Sequence, residues 1–521
     1  MTTSQTSATL SADACPLLQA IGISKNFGTL AANDEIDLNL FSHEIHALLG
    51  ENGAGKSTLV KIIYGLLQPS SGEMYWEGQL FSPGSPTQAG ALGIGMVFQH
   101  FSLFENLSVA ENVALGLDGT EGFSQVSEQL AEVSQDYGLP LNPNHEVWRL
   151  SVGERQRIEI VRLLLRDPTL LILDEPTAVL TPQEANQLFM VLERLRSEGK
   201  SILYISHKLE EVKQLCDNAT ILRQGRKIGN CDPRLETPAS LARMMVGTDI
   251  QEAKGVGNRN KTKIRLEVND LSLDADHPHG TSLQRIKLDV KGGEIFGIAG
   301  VAGNGQAELF SALSGERKSA FPQNIVIDGT EVGRLGINAR RWLGAAFVPE
   351  ERHGHGTAPN MKLSENVLLS GHAGAGLSRY GFVDRPATLA ALDRTTEIFD
   401  VRKSKRDPEA ISLSGGNLQK FMVGREILRQ PGVLIVSQPT WGVDPAAAAV
   451  IKQALLDLAG LGAAILIISQ DLDELAEFSD RVAVMYNGQL SEPLGGTTAT
   501  RERLGLLMGG STASEKLFSP K

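Results

Sequence analysis

The segment GENGAGKS, residues Gly50–Ser57, is the strongest indication of the fold in this sequence. It follows an apolar run that ends at Leu49 and precedes Leu59–Leu67, where apolar residues recur with helical spacing. The segment fits the pattern G-x-x-x-x-G-K-[ST], whose glycines let backbone N–H groups approach a phosphate at a helix N-terminus. We therefore predict a phosphate-binding loop in which Lys56 neutralises phosphate oxygens and Ser57 ligates Mg²⁺.

The chain contains two copies of one pattern, which predicts a tandem duplication. The copies are offset by 250 residues around the glycine loop and by 263 at the later motifs, so the second copy has about a dozen extra residues between Glu350 and Leu413. The polar segment 248–263 has the composition of a linker, which predicts domains at 16–247 and 264–510. The matched segments are IDLNL (36–40) with IKLDV (286–290), the loops at Gly50 and Gly300, IGMVFQ (94–99) with AAFVPE (345–350), LSVGERQ (150–156) with LSGGNLQ (413–419), and LLILDEPT (170–177) with VLIVSQPT (433–440).

Short apolar runs alternate with amphipathic segments in each copy. Runs such as Ile45–Leu49 and Ile202–Ile205 are bounded by Gly or charged residues, whereas Glu184–Arg196 has a helical period. This alternation is typical of an α/β fold with a mostly parallel sheet covered by helices. The stretch from Gln99 to Leu150 has no β-branched runs, and it predicts an inserted helical subdomain.

Composition excludes several classes of protein. The 49 Lys and Arg residues against 61 Asp and Glu residues give a net charge of -12, which argues against a nucleic acid partner. Three cysteines without paired spacing cannot form a disulfide framework or a four-ligand zinc site. The first 15 residues do not resemble a signal peptide, and no 18 consecutive residues are apolar. A cytoplasmic protein without a membrane span is therefore predicted.

Two carboxylates, Asp174 and Glu175, follow the apolar run 170–173 at the strand end where open α/β sheets bind ligands. We predict that Asp174 holds Mg²⁺ and that Glu175 polarises the attacking water. A solvated acidic strand end is the simpler interpretation of the pair alone, but the phosphate loop upstream favours the catalytic one. Gln99 and His207 also end or follow apolar strands, where a lone polar residue is most often structural.

The segments LSVGERQ and LSGGNLQ, each 20 residues before the matched strand, resemble the ABC signature motif. Over about residues 16–510 the chain resembles the duplicated ATP-binding subunits of bacterial ABC importers for sugars and nucleosides. The resemblance implies two tandem P-loop ATPase domains, each with a sheet core, a β subdomain and a helical subdomain. It also implies ATP and Mg²⁺, two integral-membrane permease subunits, an extracytoplasmic solute-binding protein, and attachment through these partners to the cytoplasmic face of the membrane.

The resemblance assigns further roles to single residues. It implies that Phe27 stacks on adenine, although a core aromatic is a competing interpretation. It also implies that Gln99 senses Mg²⁺ and the γ-phosphate and couples to the membrane subunits, and that His207 contacts the γ-phosphate. The predicted catalytic residues are Glu175, His207 and Gln99; the Mg²⁺ residues are Ser57, Gln99 and Asp174; and the ATP-binding residues are Phe27, Gly50, Glu51, Asn52, Gly53, Ala54, Gly55, Lys56, Ser57, Thr58, Ser414, Gly415 and Gly416.

The two copies have lost different motifs. The first copy has Val152 in its signature, where close backbone approach to phosphate favours glycine, while the second keeps Ser414, Gly415 and Gly416. In ABC ATPases each nucleotide lies between the loop of one domain and the signature of the other, so the losses segregate into one degenerate site and leave one hydrolytic site. The second copy has Gln306 for Lys56, Ala307 for Ser57, Glu350 for Gln99, Ser437 for Asp174, Gln438 for Glu175 and Gln470 for His207.

The leading functional prediction is an ATPase that powers nucleoside import. The segments AGNGQAEL (302–309), SVGERQRIEI (151–160) and SQPTWGVD (437–444) resemble the nucleoside type, and a monosaccharide importer for ribose, xylose or galactose is the alternative. A soluble tandem ABC protein acting on ribosomes or DNA usually needs two hydrolytic sites, a long charged linker and a basic surface. This chain has one intact site, a short linker and a net charge of -12, so this alternative is disfavoured. A non-hydrolytic scaffold contradicts the presence of Asp174 and Glu175.

Overall fold

The structure is a computed structural model, which describes residues 15–28, 30–51, 53–98, 101–117, 123–177, 180, 182–206, 208–247, 261, 263–276, 280–372, 376–379, 382–495 and 498–508. The chain divides into two compact units, of which the first comprises 1–150, 154–178 and 184–249 and the second the remaining residues. The predicted linker, 248–263, lies outside the described residues except for Lys261 and Lys263. Within the described part of the chain, no helix has the length and apolar character needed to cross a membrane.

The elements of the first half alternate between strand and helix as predicted. The strands are β1 (Leu18–Phe27), β2 (Leu30–Leu40), β3 (Ile45–Gly50), β4 (Ser71–Trp76), β5 (Gln79–Phe81), β6 (Ile94–Val97), β7 (Leu170–Asp174), β8 (Ser201–Ile205), β9 (Asn218–Arg223) and β10 (Arg226–Cys231). The helices are α1 (Lys56–Ile63), α2 (Pro86–Ala91), α3 (Val109–Ala114), α4 (Phe123–Asp136), α5 (Val152–Leu164), α6 (Pro182–Ser197), α7 (Leu209–Leu215) and α8 (Pro238–Val246).

Two sheets form the first unit. The central sheet has the order β10-β9-β3-β8-β7-β6 and is parallel from β6 to β9, with β10 antiparallel at its edge. All residues of β3 and β8 are buried, as expected for a parallel sheet with both faces covered. A second, antiparallel sheet has the order β2-β1-β4-β5. Between β6 and β7 the chain forms α3, α4 and α5, the predicted helical insertion.

The second half repeats this sequence of elements. Its strands are β11 (Ile264–Leu273), β12 (Leu283–Lys291), β13 (Ile295–Ala299), β14 (Ile325–Ile327), β15 (Thr330–Glu331), β16 (Ala345–Val348), β17 (Ser378–Arg379), β18 (Phe382–Val383), β19 (Val433–Ser437), β20 (Ala464–Ser469), β21 (Arg481–Tyr486), β22 (Gln489–Leu490) and β23 (Leu494–Gly495). Its helices are α9 (Gln306–Ser314), α10 (Ile337–Trp342), α11 (Leu363–Gly371), α12 (Arg385–Ile398), α13 (Gly415–Ile427), α14 (Pro445–Gly460), α15 (Leu472–Phe478) and α16 (Arg501–Met508).

The second unit has the same two sheets. The central sheet has the order β16-β19-β20-β13-β21-β22, with parallel pairing from β16 to β21, and the antiparallel sheet has the order β12-β11-β14-β15. The short hairpin β17–β18 lies within the stretch where the second copy has extra residues. Two α/β domains, each with a mostly parallel core, a β subdomain and a helical subdomain, are therefore confirmed as the fold class.

Local sequence signals set the ends of several helices. Helix α8 follows Thr237, whose side chain accepts a hydrogen bond from the Ser240 N–H, and it ends at Gly247 with φ 87°. Helix α14 follows Asp444, which accepts from the Ala447 N–H. A hydroxyl or carboxylate at the N-cap and a left-handed glycine after the last turn satisfy backbone groups that the helix leaves unpaired.

One buried ion-pair cluster distinguishes the second unit from the first. The Glu426 carboxylate on α13 is fully buried and lies 2.9 Å from an Arg341 nitrogen, 3.2 Å from Arg425 and 2.9 Å from Arg429. Burial alone would raise the pKa of Glu426, but the three guanidinium groups outweigh it and lower the pKa to about 2. The first copy has the apolar Leu163 at the matched position.

Glu426→Gln is expected to lower the free energy of unfolding of the second unit by about 3–5 kcal/mol at pH 7, because three buried guanidinium groups lose their shared carboxylate. Since the folded pKa lies below the ordinary value of 4.5, this contribution is complete above pH 4.5 and is lost as the pH falls toward 2. Urea unfolding of the full chain should therefore show a difference from wild type that shrinks in acid. Asp393→Asn, which removes an exposed pair with Arg406, should change the free energy of unfolding much less, because solvent screens that pair.

Candidate functional site

The predicted phosphate loop joins β3 to α1 in the first unit. Gly53 and Gly55 have φ of 85° and 99°, in the left-handed region that glycine adopts without strain. The Ala54 N–H donates to the Glu51 carbonyl (3.0 Å), which closes the turn, and no side chain caps the N-terminus of α1 at Gly55. The first N–H groups of a helix have no partner within the helix, so this geometry presents backbone donors to an anion.

Lys56 places a positive charge inside this loop. Its side chain is buried, and its Nζ donates to the carbonyls of Gly50 (2.6 Å) and Glu51 (3.1 Å). These carbonyls hold the ammonium group folded back over the loop rather than extended into solvent. A phosphate in the loop would therefore meet a fixed cation in addition to the backbone donors.

The two carboxylates lie at the same edge of the sheet as the loop. Asp174 ends β7, which is separated from β3 only by β8, and all three strands are parallel. Burial and the neighbouring Glu175 raise the pKa of Asp174 to about 6, while Lys56 and Lys61 act in the opposite direction. A cation beside Asp174 would relieve the cost of burying this carboxylate.

The oxygen donors of this edge suit Mg²⁺. The exposed Ser57 lies in the first turn of α1, and the half-buried Asp174 ends β7. Hydroxyl and carboxylate oxygens are ligands that Mg²⁺ accepts alongside water and substrate phosphate. The raised pKa of Asp174 indicates a carboxylate that lacks sufficient positive charge nearby, so both residues fit the predicted role.

Glu175 adopts a backbone conformation that is uncommon for a residue with a side chain. Its φ is 50°, and its N–H donates to the Ile205 carbonyl of β8 (2.8 Å). This hydrogen bond fixes the turn after β7, so the direction in which the side chain leaves the backbone is set by the sheet. A carboxylate held in this way is suited to orienting a water molecule.

The remaining predicted residues of the first unit are only partly described. Asn52, Gln99 and His207 lie outside the described residues, although β6 and β8, which precede Gln99 and His207, end at the same edge as β3 and β7. Phe27 ends β1 and is 49% exposed, with the Lys25 ammonium 5.5 Å from its ring centroid. Its ring is thus a surface group that can stack on a ligand and not part of the core.

The matched loop of the second unit keeps the backbone and loses the charge. Gly303 and Gly305 have φ of 85° and 112°, close to those of the first loop. Gln306 folds back as Lys56 does, but it donates from a neutral amide to the Val301 carbonyl (2.8 Å) and accepts from the Asn304 N–H (3.1 Å). The second loop therefore satisfies its own polar groups without supplying a cation.

The end of β19 repeats the turn after β7 with neutral side chains. Gln438 has φ 49°, and its N–H donates to the Ile468 carbonyl of β20 (2.8 Å), which matches the geometry of Glu175. Ser437 precedes it in the position of Asp174. The second unit thus lacks both carboxylates at a strand end that is otherwise alike.

The intact signature begins a helix of the second unit. Ser414 is the N-cap residue of α13, and the Asn417 amide donates to its hydroxyl (2.9 Å). Ser414 and Gly415 are exposed, and Gly416 is buried. An exposed serine followed by two glycines at a helix N-terminus leaves room for close backbone approach to an anion.

One residue near the loop was not predicted. Asn33 of β2 is fully buried, and its Nδ2 donates to the Gly55 carbonyl (3.0 Å). The sequence signal that identifies it is the repeat itself, because the matched residue in the second copy is the apolar Leu283. Lys61, which lowers the pKa of Asp174, was also missed because a helical lysine carries no signal of its own.

Each unit also has a groove beside its helical subdomain, formed by matched elements. The groove of the first unit, about 850 Å³, lies among α2, α3, α4 and the end of α5. The groove of the second unit, about 710 Å³, lies among α10, α11, α12 and the end of α13. Trp342, which lines the groove of the second unit, is 66% exposed. Exposed apolar surface of this kind marks interaction sites.

Comparison with known proteins identifies similar sequences over nearly the whole chain. The ABC transporter family model matches residues 33–178 and 283–441. A nucleoside import ATP-binding protein, NupA of Lactococcus lactis subsp. cremoris (strain MG1363), is 39% identical over 96% of this chain and 99% of its own length. The guanosine import ATP-binding protein NupO of Bacillus subtilis (strain 168) is 38% identical over 96% of this chain and 98% of its own length.

A sugar importer subunit and a solved structure are also similar. The glucose import ATP-binding protein TsgD13 of Haloferax volcanii (strain ATCC 29605) is 38% identical over 95% of this chain and 96% of its own length. The structure of an archaeal ribosome recycling factor, aABCE1, in complex with the ribosomal stalk protein aP1 covers 94% of this chain and 92% of that one, with 20% identity and a TM-score of 0.61. At that identity the structural likeness shows the fold alone.

Proposed function

Because this chain belongs to the ABC transporter family, we propose that it is the ATP-hydrolysing subunit of a membrane importer whose solute is a nucleoside. The observation that carries the assignment of hydrolysis is the difference between the two units. The first has Lys56, Asp174 and Glu175 around its phosphate loop, whereas the second has neutral residues on a matching backbone. One unit therefore hydrolyses ATP, and the other does not.

The residues of the first unit divide the chemistry among them. The loop N–H groups and Lys56 bind the phosphates and neutralise their charge. Glu175 accepts a hydrogen bond from the attacking water and orients it toward the γ-phosphate. Mg²⁺, held by Ser57 and Asp174, would neutralise charge on the phosphate oxygens and set their direction. Phe27 offers an exposed aromatic face to the adenine ring.

The two grooves support a pair of membrane partners. We propose that each groove receives a cytoplasmic segment of one of two integral-membrane permease subunits, since a duplicated chain that has a matched groove in each unit suits two related partners. The exposed side chain of Trp342 in the second groove would be covered by such a segment. A solute-binding protein outside the membrane would deliver the solute, and the chain would lie at the cytoplasmic face.

The nucleoside assignment depends on the relatives and not on the site chemistry. Two import ATP-binding proteins at 39% and 38% identity are named for nucleoside and guanosine import. A glucose import subunit at 38% identity keeps a monosaccharide as the second candidate. The solute is chosen by other subunits, so the ATP site itself does not discriminate between these candidates.

Uptake by intact cells distinguishes the two solutes. Cells without this chain are expected to stop accumulating labelled nucleosides at low external concentration and to keep normal uptake of ribose, xylose and galactose. Lys56→Ala in the intact chain should reproduce the nucleoside defect, because import against a gradient needs hydrolysis. Loss of sugar uptake with unchanged nucleoside uptake would reject the nucleoside assignment and leave the ATPase assignment standing.

A further inference from the structure

A buried amide beside the first phosphate loop is only half satisfied. Asn33 is completely inaccessible to solvent, and its Nδ2 donates to the Gly55 carbonyl at 3.0 Å. Its Oδ1 is also buried, and it has no hydrogen-bond partner among the residues that the structure describes. A buried acceptor without a partner lowers stability, so such a group needs an explanation.

The second unit shows that the fold does not require a polar residue here. Leu283 occupies the matched position and is 2% exposed. Its Cδ2 would lie 3.1 Å from a Cβ placed on Gly305, so it stands beside the second loop as Asn33 stands beside the first. An apolar side chain can therefore fill this space in the fold. We explain the presence of Asn33 in the first unit by its hydrogen bond to the Gly55 carbonyl of the loop.

The hydrogen bond acts on the peptide group that begins α1. The Gly55 carbonyl and the Lys56 N–H belong to one planar trans peptide, so they point in opposite directions. Holding the carbonyl toward Asn33 fixes the Lys56 N–H on the other side, together with the N–H groups of the first helical turn. The Gly55 carbonyl also accepts the helical hydrogen bond from the Leu59 N–H (3.0 Å), so Asn33 adds a second donor to the same oxygen and restricts its direction further.

We propose that Asn33 is a positioning residue for nucleotide binding, which orients the Gly55–Lys56 peptide so that the loop N–H groups meet the β-phosphate. The inference rests on the proposed ATP site of the first unit. The hydrogen bond also polarises the peptide and makes its N–H a better donor. In the second loop the Gly305 carbonyl accepts the helical hydrogen bond from the Leu309 N–H (2.9 Å), and Leu283 supplies no second donor.

Calorimetric titration of the purified full chain with MgADP tests the role of Asn33. Asn33→Leu is expected to raise the Kd for MgADP about tenfold, because the Lys56 N–H, which donates to the charged phosphate, loses its fixed direction. The Tm of the same variant is expected to rise or to stay unchanged, because leucine removes the unpaired Oδ1. A folding defect would instead reduce the number of binding sites per chain at the wild-type Kd, and the titration measures both quantities.

Two further variants separate a failure of the positioning role of Asn33 from a failure of the proposed ATP site. Leu283→Asn is the matched control, and it should lower the Tm without changing the MgADP Kd. Lys56→Ala tests the site itself: if it binds MgADP as wild type does, the proposed ATP site is wrong. If Lys56→Ala loses binding while Asn33→Leu keeps the wild-type Kd, the site stands and the positioning role of Asn33 is rejected.

Discussion

Lys56→Ala is expected to lower ATP turnover of the assembled transporter to below about 1% of the wild-type rate, because the charge that develops on the phosphate oxygens loses its fixed cation. The structure supports a large effect, since the Lys56 ammonium is buried and held by the Gly50 and Glu51 carbonyls. The rate of phosphate release from ATP in transporter-containing membrane vesicles measures it.

The second unit offers the control. Gln306 occupies the position of Lys56 in a loop of nearly the same backbone geometry, so Gln306→Ala makes a comparable truncation without removing a charge. This variant should keep at least half of the wild-type turnover. Equal losses from Lys56→Ala and Gln306→Ala would contradict the assignment of one working and one silent unit.

Glu175→Gln is expected to lower turnover by about 10²–10⁴-fold, the usual contribution of a positioned general base. The substitution should not disturb the fold, because Gln438 occupies the matched position in the second unit with nearly the same φ, 49° against 50° for Glu175. The backbone N–H of each residue donates to a carbonyl of the neighbouring strand at 2.8 Å. Glutamine therefore accepts this strained turn in the same protein, and the loss must come from the carboxylate.

Glu175→Gln is expected to impair ATP hydrolysis while leaving ATP binding nearly unchanged. Glu175 does not belong to the phosphate loop, so the Kd for MgATP is expected to stay within about threefold of wild type while single-turnover hydrolysis fails. Gln438→Ala is the matched control and should hydrolyse ATP normally. A variant Glu175→Gln that hydrolysed at the wild-type rate would remove Glu175 from the mechanism.

The sequence predicted those parts of the fold that are determined by residues within one short segment. The phosphate loop needs glycines at positive φ, and the buried parallel strands need unbroken apolar runs, so both are visible in single segments. The repeat then predicted a second sheet with the same order of elements. The extra residues of the second copy were also predicted, but the hairpin β17–β18 within them was not, because its strands are only two residues long.

The features that sequence analysis missed depend on contacts between distant segments. Asn33 and Gly55 are 22 residues apart, and Glu426 meets Arg341 across 85 residues. Neither pair has a spacing that a motif could reveal. The roles of Gln99 and His207, and the pairing of the first loop with the Ser414 signature, stay predictions.

The second loop keeps its left-handed glycines although it has lost its lysine, serine and carboxylates. The path from β13 into α9 therefore does not depend on the charges that catalysis needs. The two units therefore differ at these positions in their side chains and not in the backbone of the loop. Gln306→Lys, Ala307→Ser, Ser437→Asp and Gln438→Glu would return four of the six replaced side chains to a backbone whose loop and strand-end turns match those of the first unit.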